Sequence, residues 1–483
     1  METIGLGMFP LLAALVLVAG IPAWLALIAT ALLFSLGAIA FGAFTLPVLT
    51  ALPYRVIGLL EHDLLQALPL YVLMGVLLNH LPLSEILFRV GRRALSFTGA
   101  APQLTGLGLG VLLAPMNGSV GASVAMLGRT VMPRLAASGV TAERSSALVA
   151  VASTFGVVVP PSLVLILLGD TMMRAHTEAV NVTHAAGRII NTQDIFRGAL
   201  LPAATLLLLH LAITWWQGRR DLGARALPAV DAPDWREWLI ALLTIAFIAG
   251  LLGGVVAGEL YAVEAAATGG VTLFMYGWLS GQLTRDVLKA VLRNTMAISG
   301  SLFALLVGAT TFTLVLRAFE TDRWITTVLT GLAGGELIVL SVVLGGLAAC
   351  SFVLDAFEII FVIIPVVMPP LLMRVPDATW VAVLTLLILQ ASFLVPPFGY
   401  AIVMVRMHQA RFLSNRGLVA ALFPYLLAQL LVLAAVCAFP ATVSRSTAVV
   451  ESESSTEASI LAPAEDDSAL TDILRRQQEA QSK

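Results

Sequence analysis

Apolar runs of membrane-spanning length follow one another along most of this 483-residue sequence. Hydrophobic residues make up 59% of it and charged residues only 12%, against about 25% charged residues in an average soluble domain. A helix needs about 20 mostly apolar residues to cross a bilayer. The sequence therefore predicts an all-α polytopic membrane protein. It excludes a soluble globular fold and, for most of the chain, nucleic-acid binding.

About ten runs are long enough to be full spans, and two further apolar blocks are interrupted in the middle. The predicted full spans are two within 3–44 and one each at 64–81, 146–169, 198–217, 236–254, 256–280, 295–316, 378–405 and 417–440. The interrupted blocks lie at 100–136 and 335–373. Segments 46–63 and 82–96 have mixed composition, so we expect them to lie on the membrane surface as amphipathic helices.

A polar, Pro-containing linker at 218–235 divides the membrane part into two halves of similar length, 1–217 and 236–440. The segment 441–483 is acidic and polar, so we expect a disordered tail there. The linker and the tail are the least apolar parts of the chain, and they set the predicted domain boundaries.

The two halves repeat the same sequence of breaks. Asn117 precedes Pro160 by 43 positions, and Asp355 precedes Pro396 by 41. Each of these prolines opens a Pro-Pro pair inside an apolar run, which removes backbone donors and breaks a helix. Broken helices at matching places in two halves are typical of transporters built from internal repeats. We therefore predict two repeats, each with one hairpin and one unwound helix. The hairpins are 100–136 and 335–373, and the unwound helices are 146–169 and 378–405.

The Lys/Arg bias predicts the orientation in the membrane. With the N-terminus outside and both hairpins re-entrant, sixteen Lys/Arg residues fall in inside segments and seven in outside segments, the tail left aside. Basic residues concentrate in cytoplasmic loops, so this orientation is favoured and makes the repeats inverted. The linker is then cytoplasmic and the tail lies outside. Hairpins that cross the membrane fully would leave the same bias, so re-entrance remains open.

Short polar residues and glycines gather at both breaks, where unwound backbone also offers carbonyl oxygens. Hard cations prefer oxygen ligands, and half-helix N-termini favour anions. We predict one Na⁺ site in each half and an anionic substrate between them. The first Na⁺ site is assigned to Asn117, Gly118, Ser119, Ser153, Gly156 and Pro160. The second is assigned to Ser351, Asp355, Ser392, Pro396 and Gly399. The substrate site is assigned to Ser123, Thr154, Pro161 and Pro397. The competing interpretation is that Ser, Thr and Gly serve close helix packing.

Asp355 and Glu358 are carboxylates inside the second interrupted block. A charge at membrane depth is costly and marks a functional candidate. Asp355 is equally placed to cap the helix that follows, with Glu358 three residues later in its first turn. The two roles are compatible, and Glu358 is expected to be structural.

Sequence signatures of other function classes are missing. No GxxxxGK[ST] motif is found, so the chain holds no ATP motor. Neither the scattered histidines nor the two cysteines form a metal-ligand or catalytic pattern. A membrane-embedded enzyme or a non-transporting scaffold is therefore disfavoured, and no organic cofactor is expected.

Four stretches resemble the large membrane subunit of TRAP (tripartite ATP-independent periplasmic) transporters. They are APMNGSVGASVAMLGRTVMPRL (114–135), STFGVVVPPSLVLILLGD (153–170), LDAFEIIFVIIPVVMPPL (354–371) and FLVPPFGYAIVMVR (393–406). The LDAFE stretch and an extended loop at 170–197 look most like the branch labelled mannitol/chloroaromatic compound transport. This chain departs from the family pattern at two places. The family commonly has Ser-Gly-Ser where this chain has Asn117-Gly118-Ser119, and a Pro soon after the hairpin Asp where this chain has Ala356 and Phe357.

The resemblance implies a Na⁺-coupled secondary transporter in the bacterial inner membrane, with the tail in the periplasm. It implies organic acid uptake by an elevator-type mechanism, in which a domain of two hairpins and two unwound helices moves against a scaffold. A periplasmic binding protein would deliver the substrate, and a small membrane (Q) subunit would pair with this chain. A stand-alone sodium/carboxylate carrier of the same broad fold is the alternative.

Overall fold

The computed structural model describes residues 2–42, 47–61, 63–117, 119–160, 162–184, 188–222, 233–408 and 413–443. Within these ranges every regular element is a helix. The predicted all-helical class is thereby confirmed. Most of the linker and nearly all of the acidic tail lie outside the described residues, as do the site candidates Gly118 and Pro161.

In the described part of the chain before the linker, the structure has twelve α-helices. They are α1 (Glu2–Leu6), α2 (Met8–Leu17), α3 (Ala23–Ala40), α4 (Pro47–Leu60), α5 (Asp63–His80), α6 (Leu83–Ala94), α7 (Ala101–Leu113), α8 (Val120–Thr130), α9 (Met132–Ala137), α10 (Ala142–Val158), α11 (Leu163–Thr183) and α12 (Thr192–Leu222). A short 3₁₀ helix, Ala114–Asn117, joins α7 to α8 and forms the tip of the first hairpin.

Ten α-helices follow in the described ranges 233–408 and 413–443. They are α13 (Trp235–Ala257), α14 (Ala262–Leu279), α15 (Arg285–Ala318), α16 (Thr321–Gly331), α17 (Glu336–Cys350), α18 (Ala356–Glu358), α19 (Ile364–Leu372), α20 (Ala378–Phe393), α21 (Tyr400–His408) and α22 (Asn415–Ala438). A π-helical turn, Ile359–Ile363, joins α18 to α19, so that one continuous helix follows the second hairpin tip.

The helices break where the prolines predict. Pro22 precedes α3, and α10 ends at Val158, two residues before Pro160. In the second half α20 ends at Phe393, and α21 begins only after the Pro396-Pro397 pair. Proline lacks an N–H and clashes with the preceding turn, so each break falls just before it.

Helices α11, α15 and α16 differ from the sequence-based boundaries for one shared reason. Helix α11 continues to Thr183, so the predicted extended loop at 170–197 is helical over its first part. Helix α15 is 34 residues long, well beyond 295–316. Helix α16 occupies a stretch between two predicted apolar runs. The reason is the same in each case: a polar helix or helix end is not detected by a search for apolar runs.

Among the described residues, six segments are long and apolar enough to cross a membrane. They are Ala23–Ala40, Ala142–Thr183, Thr192–Arg220, Trp235–Ala257, Arg285–Ala318 and Asn415–Ala438. The pair Ala67–His80 and Leu83–Ala94, bent by 63°, makes a seventh if it is counted as one broken span. The predicted number of ten full spans remains a prediction. The helices of the interrupted blocks are shorter, since α7 has 13 residues and α17 has 15. At 1.5 Å per residue such arms reach only about 20 Å, against about 30 Å of hydrocarbon.

The two halves of the chain pack against each other reciprocally. Helix α15 runs along α3, and α14 runs along α5. In the same crossed manner α11 packs on α19, and α21 packs on α8. By order along the halves, α3 corresponds to α14, α5 to α15, α8 to α19 and α11 to α21. Two repeats related by a two-fold axis would pack in this way. The repeat boundaries and their inverted orientation in a membrane stay predictions.

Candidate functional site

The first hairpin tip is buried and tied together by short polar side chains. Ser119 caps α8, and its Oγ accepts a hydrogen bond from the Ala122 backbone N–H at 3.1 Å. Ser123 donates from its Oγ to the Ser119 carbonyl at 3.0 Å, and Asn117 Nδ2 donates to that Oγ at 3.4 Å. The Asn117 Oδ1 is buried and has no hydrogen-bond donor among the described residues. A buried acceptor without a partner is costly, and a cation would satisfy it.

Two glycines hold this tip from opposite helices. A Cβ at Gly156 of α10 would lie 2.8 Å from the Ala114 carbonyl oxygen. A Cβ at Gly75 of α5 would lie 2.9 Å from the Asn117 Cα. Both contacts are with backbone, which cannot turn away as a side chain can. We call Gly75 and Gly156 the glycine clamp, because the tip fits only against a helix face without a side chain.

The first unwound helix presents two buried hydroxyls near its end. Ser153 Oγ donates to the Val149 carbonyl at 2.7 Å, and Thr154 Oγ1 donates to the Val151 carbonyl at 2.8 Å. Each hydroxyl donates its hydrogen bond to a backbone carbonyl of its own helix, and its oxygen lone pairs remain able to accept. Pro160 is buried in the break that follows. These oxygens are therefore available as acceptors or as cation ligands.

The second hairpin tip ends in a capping box. The Asp355 Oδ1 accepts from the Ala356 N–H at 2.7 Å, and the Glu358 Oε2 accepts from the Asp355 N–H at 3.0 Å. The capping role predicted from their three-residue spacing is confirmed. Ser351, at the start of the tip, is buried and donates to the Ala348 carbonyl at 2.7 Å. Both hairpin tips thus end in a capped helix N-terminus, where the dipole favours negative charge.

The second unwound helix turns tightly after α20. Ser392 Oγ donates to the Ile388 carbonyl at 2.7 Å, as Ser153 does four residues back in its own helix. The Gly399 N–H donates to the Val395 carbonyl at 2.8 Å. A Cβ on Gly399 would lie 2.9 Å from that same carbonyl oxygen, so the turn requires glycine. Pro396 is half-buried in this turn.

Tyr400 lies against the first hairpin, although sequence reasoning did not single it out. Its phenol oxygen lies 3.1 Å from where a Cβ on Gly121 of α8 would stand. The same phenol is within electrostatic reach of the Asp355 and Glu358 carboxyls. Its ring packs on Phe393, with the ring centroids 5.9 Å apart. Tyr400 directly follows Gly399 of the second unwound helix, and this position in the sequence could have marked it as a site residue.

A buried polar chain joins the two unwound helices. Gln390 Nε2 of α20 donates to Thr154 Oγ1 of α10 at 3.5 Å, and Gln429 Nε2 of α22 donates to Gln390 Oε1 at 3.1 Å. All three residues are fully buried. Thr154 and Gln390 are 236 positions apart, the same offset as Pro160 and Pro396. Aligning the halves by their prolines would therefore have pointed to Gln390, whereas Gln429 carries no such signal.

The predicted site residues fall into two groups. The structure brings Asn117, Ser119 and Ser123 together, with Gly156 against the same tip. Thr154 belongs to the polar chain between the halves. Ser351 and Asp355 share the second tip, but among the described residues no hydrogen bond joins either of them to Ser392. Pro397 lies on the exposed side of its turn.

Comparison of the sequence with known protein families identifies the family of this chain. A family model described as "Tripartite ATP-independent periplasmic transporter, DctM component" matches residues 7–442. The chain belongs to this family. It is a multi-pass membrane protein of the TRAP large permease type, and the family resemblance drawn from the four stretches is confirmed.

Curated relatives of this DctM-family chain carry different substrate names. The C4-dicarboxylate TRAP transporter large permease protein of Rhodobacter capsulatus is 24% identical over 391 residues, which are 78% of this chain and 85% of the relative. The sialic acid TRAP transporter permease protein SiaT of Haemophilus influenzae is 23% identical and aligns with 80% of this chain. The isethionate TRAP transporter permease protein DctMQ of Oleidesulfovibrio alaskensis is 23% identical over 69% of it. The aligned part is 59% of SiaT and 51% of DctMQ.

One solved structure shares the fold. The crystal structure of the YdaH transporter of Alcanivorax borkumensis superposes with a TM-score of 0.56, over 81% of this chain and 87% of that one. The two sequences are 18% identical, so the likeness concerns the fold alone.

Proposed function

We propose that this chain is the large permease subunit of a Na⁺-coupled secondary transporter that imports an organic acid. A periplasmic binding protein delivers the acid, and a small membrane (Q) subunit pairs with the chain. The complex resides in the bacterial inner membrane with the acidic tail in the periplasm, and it performs transport and no enzymatic reaction. The LDAFE stretch supports the mannitol/chloroaromatic-type branch of the family.

One observation carries the proposal. Each of two hairpin tips ends in a capped helix N-terminus, and in each half a helix broken at a Pro-Pro pair follows. Hydroxyl and amide oxygens with free lone pairs suit Na⁺, and two helix N-termini suit a carboxylate between them. Two hairpins and two broken helices in one reciprocal unit support an elevator-type movement of that unit. The substrate names of the relatives, C4-dicarboxylate, sialic acid and isethionate, support an organic acid.

Uptake into proteoliposomes tests the proposal. The chain is reconstituted with its small subunit and binding protein, and labelled succinate is the first acid offered, followed by a panel of sugar acids and aromatic acids. We expect uptake of one class that requires both an inward Na⁺ gradient and the binding protein. Uptake without a Na⁺ gradient would contradict the coupling. Uptake without the binding protein would favour the stand-alone carrier.

Two variants test the site. A hydrogen bond to a charged group contributes about 1.5–3 kcal/mol, so Asp355→Asn should raise the half-saturating Na⁺ concentration at least about tenfold. Ser119→Ala removes a helix cap worth about 1 kcal/mol and should raise it about fivefold. The matched control is Asp377→Asn. Asp377 also caps a helix, since its Oδ1 accepts from the Trp380 N–H of α20 at 2.9 Å, but it is assigned to neither Na⁺ site. Wild-type Na⁺ dependence in both site variants would remove these residues from the Na⁺ sites.

A further inference from the structure

A cavity of about 240 Å³, with both polar and apolar side chains in its wall, lies between α8, α5 and α15. Its wall on α8 runs from Ala122 in the first turn to Arg129 and Thr130 in the last. The seven-residue step from Ala122 to Arg129 covers about 10 Å along the helix. Ala122 follows Gly121, which faces Tyr400, and its N–H bonds the Ser119 cap. The cavity therefore leads from the first hairpin tip to the far end of α8.

Three polar side chains around this cavity offer N–H donors, while the Thr130 hydroxyl donates to the Met126 carbonyl at 2.9 Å. Arg129, Asn79 of α5 and Asn294 of α15 line it, and their side chains have no hydrogen-bond partner among the described residues. None of the lining residues is Asp or Glu. His80, which also lines the cavity, has its Nδ1 at 2.8 Å from the Val76 carbonyl oxygen, so that ring nitrogen is already occupied. A guanidinium with two amides and no acid nearby suits an oxyanion.

Arg129 differs from its neighbour Arg134 in this respect. Arg134 contacts the Glu85 carboxylate at 3.4 Å and stacks over Phe88, so its charge is already compensated. Arg129 is exposed at the end of the cavity, and among the described residues no acid forms an ion pair with it. By the predicted topology this end of α8 faces the cytoplasm.

We propose that this cavity is a release site, in which Arg129 with Asn79 and Asn294 holds the oxyanion group of the transported acid after it leaves the hairpin tip. The inference rests on the proposed function. The ligand chemistry is a carboxylate or phosphate oxyanion. A free acid and the phosphate of an anionic lipid present that same chemistry, so the experiment must separate these two sources.

Thiol labelling in the cavity tests the site without requiring transport. Ala125→Cys is introduced in the full chain, which is reconstituted in phosphatidylcholine nanodiscs. Its reaction rates with an anionic and a cationic methanethiosulfonate reagent are compared, and the unsubstituted chain gives the background from Cys350 and Cys437. A unit charge about 5 Å away changes each rate about threefold to fourfold in opposite directions, so the rate ratio should favour the anion by about tenfold.

Matched variants assign that selectivity. Arg129→Gln should bring the ratio close to one, whereas Arg134→Gln should leave it within about twofold. Succinate at tens of millimolar should slow labelling of the introduced thiol more than sodium chloride of equal ionic strength. Failure of uptake with intact labelling selectivity would refute the proposed function but not the oxyanion site.

Three results would overturn the proposal. The first is labelling without charge selectivity, or selectivity that survives Arg129→Gln. The second is protection by neither succinate nor inorganic phosphate in phosphatidylcholine. The third is slower labelling of the introduced thiol only when phosphatidylglycerol is added to the nanodisc. That result would assign the site to a lipid headgroup and remove its role in release.

Discussion

The glycine clamp makes a quantitative prediction for Gly156→Ala. The added Cβ would stand 2.8 Å from the Ala114 carbonyl oxygen and 3.0 Å from its carbonyl carbon. Ordinary contact would require the tip and α10 to separate by about 0.6 Å, and such overpacking of a close-packed site costs about 1–3 kcal/mol. The tip carries Asn117, so the same displacement acts on the candidate Na⁺ site.

Gly108→Ala is the matched control. Gly108 of α7 in the first hairpin is helical and half-buried like Gly156, and nothing lies within 4 Å of its would-be Cβ. Both substitutions gain the same helix propensity, about 0.5–1 kcal/mol. The difference between the two variants therefore isolates the clash.

Two measurements check this prediction. Unfolding in mixed micelles, followed by tryptophan fluorescence, should give Gly156→Ala a free energy of unfolding about 1–3 kcal/mol below that of Gly108→Ala. If the cost falls on the Na⁺-bound form, the half-saturating Na⁺ concentration should rise between about 5-fold and 150-fold. Equal stability and equal Na⁺ dependence of the two variants would refute the reasoning.

Two further predictions concern buried polar groups. Thr154→Val and Gln390→Leu should each destabilise the chain by about 1–3 kcal/mol, because each leaves a buried partner unsatisfied. The double variant should cost less than the sum of the two, and additive free energies of unfolding would contradict the polar chain between the halves. Asp194, buried in the first turn of α12, accepts from Arg188 at 2.9 Å and from the Asn191 N–H at 2.8 Å. Asp194→Asn should cost about 1–3 kcal/mol, whereas Glu178→Gln, in a half-exposed pair with Arg317, should cost at most about 1 kcal/mol, and equal costs would contradict this difference.

Features encoded locally could be predicted from the sequence. The breaks before α3 and after α10 and α20 follow from proline and from the apolar runs around it. The Asp355 cap followed from the three-residue spacing to Glu358, because a capping box is closed within one helical turn. The polar tip at Asn117, Ser119 and Ser123 is likewise contained within seven residues.

Contacts between distant elements could not be predicted in this way. Gly75 matters because α5 lies against a tip some forty residues later, and Tyr400 matters because α21 lies on α8. Periodicity reports which face of a helix is apolar and not which helix covers it. Helix α16 was missed for a related reason, since its composition is too polar for a search based on apolar runs.

The reciprocal packing of the halves also has a consequence for the order of synthesis. Gly121 of the first hairpin faces Tyr400, which leaves the ribosome 279 residues later. At about 5–20 residues per second, that interval is roughly 15–60 s. Throughout this interval the first hairpin lacks its contact with α21, and it already carries the Asn117 Oδ1, which has no donor among the described residues. Chains truncated before Tyr400 should therefore be recognised as unfinished by membrane quality control, and nascent chains at this stage are where a chaperone or the small subunit would protect most.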